Sequence, residues 1–426
     1  MAALLSLAGP DTPVPNLLRL LGPLLASVLL MQLATGLFGT LAPLTMSLAG
    51  FSTETVGTIG SAFYLGLLAG CIIGGPLIER VGHIRTFAGF AAISAAAPLA
   101  LPVFLDPWAW AGLRAICGLA IAVQSVAVES WLSASSNDEN RGRVFAIYMF
   151  LAYLATAGSQ FLLTLDDPRS GHLFSLVAGF SALCLVPIAL ARSANPALPE
   201  HAPFGIAELY RLSPLGFIGC VASGLLQGAL YSLGPIFAAS SGLGLAQVST
   251  FMSATVIGAL LLQLPIGRFS DRIDRRVMLL AVAAGTAFAA AAIVLVAARM
   301  PAALMVAALL FGGFAATIYP VSVAHANDFL QPKDRVAASA GLLFAYSAGA
   351  SLGPFLASLA MGRIGPAGLY MFLGTVALGL AGFVLWRMRQ RPTVDAAAKG
   401  RFAWLSSHST SGANPTGATP QASSDP

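Results

Sequence analysis

The chain is organised by long apolar runs. An α-helix rises about 1.5 Å per residue, so crossing the ~30 Å hydrocarbon layer of a bilayer takes about 20 mostly apolar residues. Runs of that length recur twelve times. The first six lie near 22–46, 54–78, 86–106, 108–132, 142–165 and 170–191. The last six lie near 214–239, 247–267, 277–298, 301–325, 336–360 and 365–387. They are continuous rather than alternating, which argues against a membrane β-barrel. Charged residues make up only 9% of the 426, against about 25% in soluble domains. That is too few to cover a water-facing surface, so a soluble enzyme is excluded. The expected fold class is an all-α membrane protein with twelve transmembrane helices.

The few charges report orientation. Of the 22 Lys and Arg residues, eighteen fall in alternate connections that share one side when the N-terminus is cytoplasmic. Arg169, Arg299 and Arg363 fall on the other side. Cytoplasmic loops carry such an excess, so both termini are expected to be cytoplasmic. The net charge of +5 then reflects topology, and no nucleic-acid partner is expected. Residues 1–16 contain Pro10, Pro13 and Pro15 but no basic segment followed by an apolar core and a cleavage site. The first run therefore reads as an uncleaved span.

The chain repeats itself. Gly75-Pro-Leu-Ile-Glu79-Arg80-Val-Gly82-His83-Ile-Arg85 follows the second span, and Gly267-Arg-Phe-Ser-Asp271-Arg272-Ile-Asp274-Arg275-Arg276 follows the eighth, at an offset of 192 residues. Ser61, Ala62, Gly66 and Leu68 meet Ser253, Ala254, Gly258 and Leu260 at the same offset. Glu139-Asn140-Arg141 and Lys333-Asp334-Arg335 recur at 194. Two six-helix halves of like orientation follow. Their expected bounds are 1–195 and 214–390, with a cytoplasmic linker at 196–213 and a disordered tail at 391–426.

These residues resemble the major facilitator superfamily, whose loop signature stands between spans 2 and 3 with a weaker copy between spans 8 and 9. Glu79 replaces the usual Asp, His83 replaces Arg, and Asp274 replaces Gly. Arg114-Ala-Ile-Cys-Gly118-Leu-Ala120 resembles the family's span-4 motif. Ala-Val-Glu129-Ser130, Asn140-Arg141-Gly142-Arg143, Pro265-Ile-Gly267-Arg268 and Tyr319-Pro320 are similar to the uncharacterised YcaD-like bacterial transporters. The resemblance covers about residues 20–388. It implies two pseudo-symmetric bundles that work by alternating access in the bacterial inner membrane. It also implies a cytoplasmic gate built from Gly75, Glu79, Arg80, Gly82, Arg85, Gly267, Asp271 and Arg272. Span 5 departs from the drug–proton antiporter pattern, because Ala155-Thr-Ala-Gly158-Ser159-Gln160 lacks the closing proline. Span 11 does carry Gly349-x-x-x-Gly353-Pro354.

Arg114 lies about 9 Å into span 4. A charge at that depth is costly and usually faces a water-filled cavity or a partner. It is a candidate to hold an anionic group of a substrate; snorkelling and helix carbonyls are the structural alternatives. Glu129, near the end of the same span, is expected to pair with Arg141 or Arg143 in the gate. The resemblance places spans 1, 4, 7 and 10 around the central cavity. Gln32, Thr35, Gln124, Gln227, Tyr231 and Tyr319 are the uncharged polar residues there, and Tyr64, Tyr153 and Tyr346 are candidate additions. His325 is a candidate titrating group at the end of span 10. Gly66, Gly70 and Gly74 on span 2, and Gly341, Ala345, Gly349 and Gly353 on span 11, form small-residue stripes that allow close helix approach. The two stripes are expected to face each other between the halves; static packing within each half is the alternative.

No Ser/His/Asp set, phosphate loop or metal spacing is present. Cys71, Cys117, Cys184 and Cys220 sit inside apolar runs, and His83, His172, His201, His325 and His408 are scattered. No cofactor, no metal and no enzymatic activity is expected. The expected function is secondary active or facilitative transport of a small organic molecule, anionic or amphipathic, by a monomer in the lipid bilayer. Export is the favoured direction and protons are the candidate coupling ion. The alternative is a transporter-like sensor that binds a ligand without moving it.

Overall fold

The computed structural model describes residues 14–104, 106–136, 140–190, 206–297, 300–330 and 334–390. The expected tail at 391–426 and most of the linker at 196–213 lie outside them. Among the described residues, twelve stretches of helix are long and apolar enough to cross a membrane. They are α1 (Val14–Leu48), α2 (Thr53–Val81), α3 (His83–Ala100), α4 (Pro107–Ala134), α5 (Arg141–Ser159) and α6 (His172–Leu183) in the first half. The second half holds α7 (Pro214–Ser240), α8 (Leu245–Arg272), α9 (Arg275–Val296), α10 (Pro301–Asn327), α11 (Arg335–Ile364) and α12 (Gly368–Gln390). The span count read from the sequence is therefore observed. The short helix Leu185–Leu190 prolongs α6, and Ile206–Leu212 precedes α7.

Helix starts follow local chemistry. Ser52 accepts from the Thr55 amide, Asp106 from Ala109 and Ser213 from Gly216, each satisfying an amide that the first turn leaves unpaired. Pro107, Pro214 and Pro301 stand in the first turn, where a missing N–H costs nothing. Between α2 and α3 only Gly82 intervenes. Its φ of +88° turns the chain where a side chain would be strained. α5 tightens into a 3₁₀ turn at Gln160–Leu165.

Alternation of the spans puts the α2–α3, α4–α5, α6–α7, α8–α9 and α10–α11 connections on one face, with the start of α1 and the end of α12. This is called the basic face, because most of the arginines lie there. Within each half, glycines set the helix crossings. A Cβ on Gly66 of α2 would run into the Ala115 carbonyl of α4, and one on Gly118 into the Phe63 carbonyl. The second half repeats this crossing. There Gly258 of α8 meets the Leu309 carbonyl of α10, and Gly312 meets that of Thr255. Gly66 and Gly258 stand at the 192 offset, and Gly118 and Gly312 at 194, so the sequence repeat is a repeated helix contact.

One expectation is corrected. The stripes on α2 and α11 do not face each other. Gly66, Gly70 and Gly74 pack on α4, while Gly349 and Gly353 pack on Val221 and Leu225 of α7. Gly341 faces Leu209 of the short helix before α7. Small residues permit close approach to any neighbour, and here the neighbour lies in the same half. The halves meet through other small residues. Gly57 of α2 packs on Pro354 and Ser358 of α11, Gly60 on Pro354 and Ser232, and Gly362 beside Glu54. All these approaches lie toward the face opposite the basic one.

Candidate substrate-binding cavity

A cavity of about 140 Å³ lies between the halves. A single water needs roughly 10–15 Å³ on this measure, so there is room for a small organic molecule. Its wall comes from α1, α2, α4 and α5 on one side and α7 and α10 on the other.

The structure places Arg114 on this wall. Only 4% of the residue is exposed. Its guanidinium carbon stands 4.7 Å from the Phe38 ring centre and 4.5 Å from that of Phe63. These contacts draw the cation to the rings' negative faces. Its Nε is enclosed and has no hydrogen-bond partner. Among the described residues Arg114 makes no hydrogen bond and no ion pair. Snorkelling to an interface does not describe so enclosed a side chain. Buried charges ordinarily have partners, and among the described residues Arg114 departs from that rule at the cavity wall.

Gln32, Thr35, Tyr64, Tyr153, Gln227 and Tyr231 share the cavity wall. Gln227 is 5% exposed, and its Oε1 is buried without a hydrogen-bond partner. Gln124 is a correction. It is turned away from the cavity, and its Nε2 donates to Ser94 Oγ at 2.6 Å and to the Phe90 and Ala120 carbonyls at 3.3 and 3.2 Å. Tyr319 is a second correction. It is buried beside Tyr346 with ring centres 5.2 Å apart, and neither ring lines the cavity.

Other wall residues escaped the sequence reading. Phe38 and Phe63 carry no polar mark and look like ordinary apolar residues. Gln160 and Thr156 did carry one. Tyr153, Thr156 and Gln160 stand at i, i+3 and i+7 on the α5 side of the wall, which is one helix face. The Gln160 side chain donates to the Gly36 carbonyl at 3.1 Å and accepts from Thr40 at 2.5 Å, tying α5 to α1. On α4, Ser125 is eleven residues from Arg114, close to three full turns, and so shares its face. Gln124, ten residues on, is rotated by roughly 80° at 3.6 residues per turn.

The gate candidates separate into two groups. Glu79, Arg80 and Arg85 are exposed on the basic face and make no ion pair among the described residues. Gly75 is half-buried and Gly267 buried. In the second copy Asp271 meets Arg275 at 3.5 Å, while Arg275 Nε donates to Asp328 at 2.7 Å. Arg272 is exposed. Arg275 thus joins α9 to the end of α10, within one half. Asp274 caps α9 and holds Arg276 at 2.8 Å. Burial pushes its carboxyl pKa up, but the hydrogen bonds and charge of Arg276 outweigh this and hold it below the ordinary value. Glu129 is fully buried and accepts from Tyr148 at 3.2 Å; Arg141 and Arg143 are half-buried at the start of α5. Tyr148 also lines the cavity, so Glu129 lies directly behind its wall. His325 is buried against Phe329, with ring centres 5.1 Å apart.

Residues 24–255 and 215–420 match the model of the Major Facilitator Superfamily. The chain belongs to the major facilitator superfamily. It is 30% identical over 371 residues to an uncharacterized MFS-type transporter, YcaD, of Salmonella typhi, covering 87% of this chain and 96% of that one. The YcaD of Salmonella newport (strain SL254) is 31% identical over 356 residues, 83% of this chain and 92% of that one. Among solved structures, the nucleoside transporter NupG superposes with a TM-score of 0.69 at 15% identity, over 87% of this chain and all of that one (100%). A POT family transporter in complex with a thioalcohol-conjugated peptide gives 0.71 at 13%, over 87% of this chain and 96% of that one. At such identities the likeness is one of fold. The protein is a multi-pass membrane transporter of this superfamily.

Proposed function

We propose that this superfamily member moves a small organic anion with an apolar or aromatic body across the bacterial inner membrane by alternating access. The single observation that carries the reading is Arg114: an unpaired cation, nine-tenths buried, on the wall of the cavity between the halves. The anion's charge is met by Arg114, and its body packs on Phe38, Phe63, Tyr64, Tyr153 and Tyr231. The arginine count supports a cytoplasmic basic face with both termini on it.

The close approaches between the halves lie toward the other face. On this reading Glu79, Arg80 and Arg85 find partners when the basic face closes, and Asp271 and Arg272 act in the same closure. Gly82 turns the chain between α2 and α3 with its φ of +88°, while Gly75 and Gly267 lie in the last turns of α2 and α8. Glu129 and Arg141 belong to the same end of the first half.

The test is flux of a pooled metabolite library into liposomes holding the purified full chain, with and without a pH gradient. The expected result is saturable movement of an organic anion, abolished in Arg114→Ala while the unfolding midpoint is retained. Anion flux that survives in Arg114→Ala overturns the reading. Tight anion binding with no flux of any compound favours a sensor instead.

A further inference from the structure

The cavity has a floor. Toward the basic face it ends against buried side chains drawn from both halves. Tyr64 and Leu67 of α2 line the cavity and belong to one apolar cluster with Ala122 of α4, Tyr319 of α10 and Tyr346 of α11. Tyr319 is 3% exposed and Tyr346 0%. Their rings meet edge to face, 5.2 Å apart at 66°, an arrangement that aromatic quadrupoles favour. Three helices agree on the level of this layer. On α10 the wall residue is Ala316, and Tyr319 stands three residues, about 4.5 Å, further toward the basic face. Cys71 and Glu129 stand four residues beyond Leu67 and Ser125 of the wall, and both lie within electrostatic reach of the Tyr319 hydroxyl.

This closure differs in kind from the one at the opposite face. There, glycines let whole helices touch, with Gly57 and Gly60 of α2 on Pro354 of α11. Here side chains fill the gap, and the two tyrosines are the largest that the second half contributes. Glu79, Arg80 and Arg85, beyond the layer, are exposed. A closure made by side chains opens with a small motion, and the sequence supplies a hinge beside it. Pro320 follows Tyr319 inside α10 and has no N–H, so the Ala316 carbonyl lacks its helical donor. Helices bend where that ladder is interrupted. A bend at this point moves the Tyr319 ring relative to the α2 and α4 side of the floor.

We infer that Tyr319, seated on Tyr346, is the gate between the cavity and the basic face, and that bending of α10 at Pro320 opens it. Tyr319 is then a barrier to the ligand rather than a contact for it. This inference rests on the cavity being the transport site and is independent of the ligand's charge.

The experiment needs no substrate. Thr156 of α5 lines the cavity fifteen residues, about 22 Å, from the basic-face start of its helix at Arg141, whereas Tyr319 is eight residues, about 12 Å, from the basic-face end of α10 at Asn327. Thr156→Cys therefore places a thiol above the floor, with Cys71→Ser added to clear the layer of its own. Cys117, Cys184 and Cys220 are buried, and the same variants without the reporter give their background. The probe is sulfonatoethyl methanethiosulfonate, a charged, membrane-impermeant thiol reagent. It is applied to inverted vesicles, which present the cytoplasmic side, and to right-side-out vesicles. Tyr319→Ala should speed labelling roughly tenfold or more in inverted vesicles and leave it unchanged in right-side-out ones. Tyr319→Phe keeps the ring and should label at the natural rate. Pro320→Ala returns the N–H and should slow labelling several-fold. Unfolding midpoints establish that each variant is folded; if Tyr319→Ala is not, Tyr319→Leu carries the same expectation.

Unchanged labelling in the folded variant without the ring overturns the gate. So does an equal rise in both vesicle orientations, which puts the breach elsewhere. Fast labelling in Tyr319→Phe assigns the barrier to the hydroxyl and overturns the argument from the ring. An unaltered rate in Pro320→Ala overturns the hinge. A reporter that no variant exposes from either side takes the cavity off the transport path, and the reading of Arg114 falls with it.

Discussion

Arg114 costs the empty protein stability, and its removal should show this. An unpaired buried ion costs several kcal/mol even after relaxation and water penetration. The two cation–π contacts, at 4.7 and 4.5 Å, offset part of that, at about 0.5–2 kcal/mol each. The remainder is a net penalty of about 1–3 kcal/mol in the ligand-free state. Methionine has a similar length, no charge, and a sulfur that packs favourably on aromatic rings, worth ~0.3–1.5 kcal/mol. Arg114→Met should therefore raise the unfolding midpoint while abolishing anion binding. Arg114→Lys keeps the charge without the planar fork, so it should bring no such rise and should still lose affinity. The assay is thermal unfolding in one detergent followed by tryptophan fluorescence, with Trp110 buried one turn from Arg114. A charge retained at a cost to stability is the mark of a site kept for function. If the midpoint of Arg114→Met falls by more than the error, Arg114 is holding the fold together. The argument from an unpaired charge then fails.

Three further predictions follow from the same contacts. Asp328→Ala removes the closer of the two carboxylates that meet Arg275, whose side chain is 1% exposed and keeps Asp271 at 3.5 Å, and should cost about 1.5–3 kcal/mol in unfolding free energy, whereas Asp167→Ala, at an exposed pair with Arg169, should leave the midpoint unchanged. Because the Asp274 carboxyl is held below its ordinary pKa, its contribution is present above the unfolded value near 4 and is lost as pH falls through the lower folded value; a midpoint–pH curve should show this loss in the natural protein and not in Asp274→Asn. Gly66→Val and Gly258→Val, which push side chains into the Ala115 and Leu309 carbonyls, should each lower the midpoint by the equivalent of about 1–3 kcal/mol, while Gly89→Ala, in open space, should not; similar losses in both halves are the signature of the repeat.

The sequence exposes the spans and the repeat for a physical reason. Lipid demands unbroken apolar length, and a repeated glycine crossing demands glycines at a repeated offset. What it conceals is the rotation of each helix about its axis. In a soluble helix a polar stripe marks the outward face. Here lipid and protein interior are both apolar, so nothing periodic says which side of α2 or α11 looks inward. The glycine stripes therefore announced a close neighbour correctly, but they were expected to be each other's neighbour, and α4 and α7 proved to be the neighbours instead. Gln124 and Gln227 show the same gap at the site. Each is a glutamine deep in a span, and sequence alone treats them alike. Gln124 is turned onto α3, where Ser94 and the Phe90 carbonyl satisfy it, and it becomes a structural tie. Gln227 lines the cavity, and its enclosed oxygen is left without a hydrogen-bond partner. One anchored residue would have resolved the first case. Once Arg114 is taken as facing the cavity, the helical period brings Ser125 to that face and rotates Gln124 off it. A costly intramembrane charge is thus informative twice, marking the site by its expense and fixing the rotation of the helix that carries it.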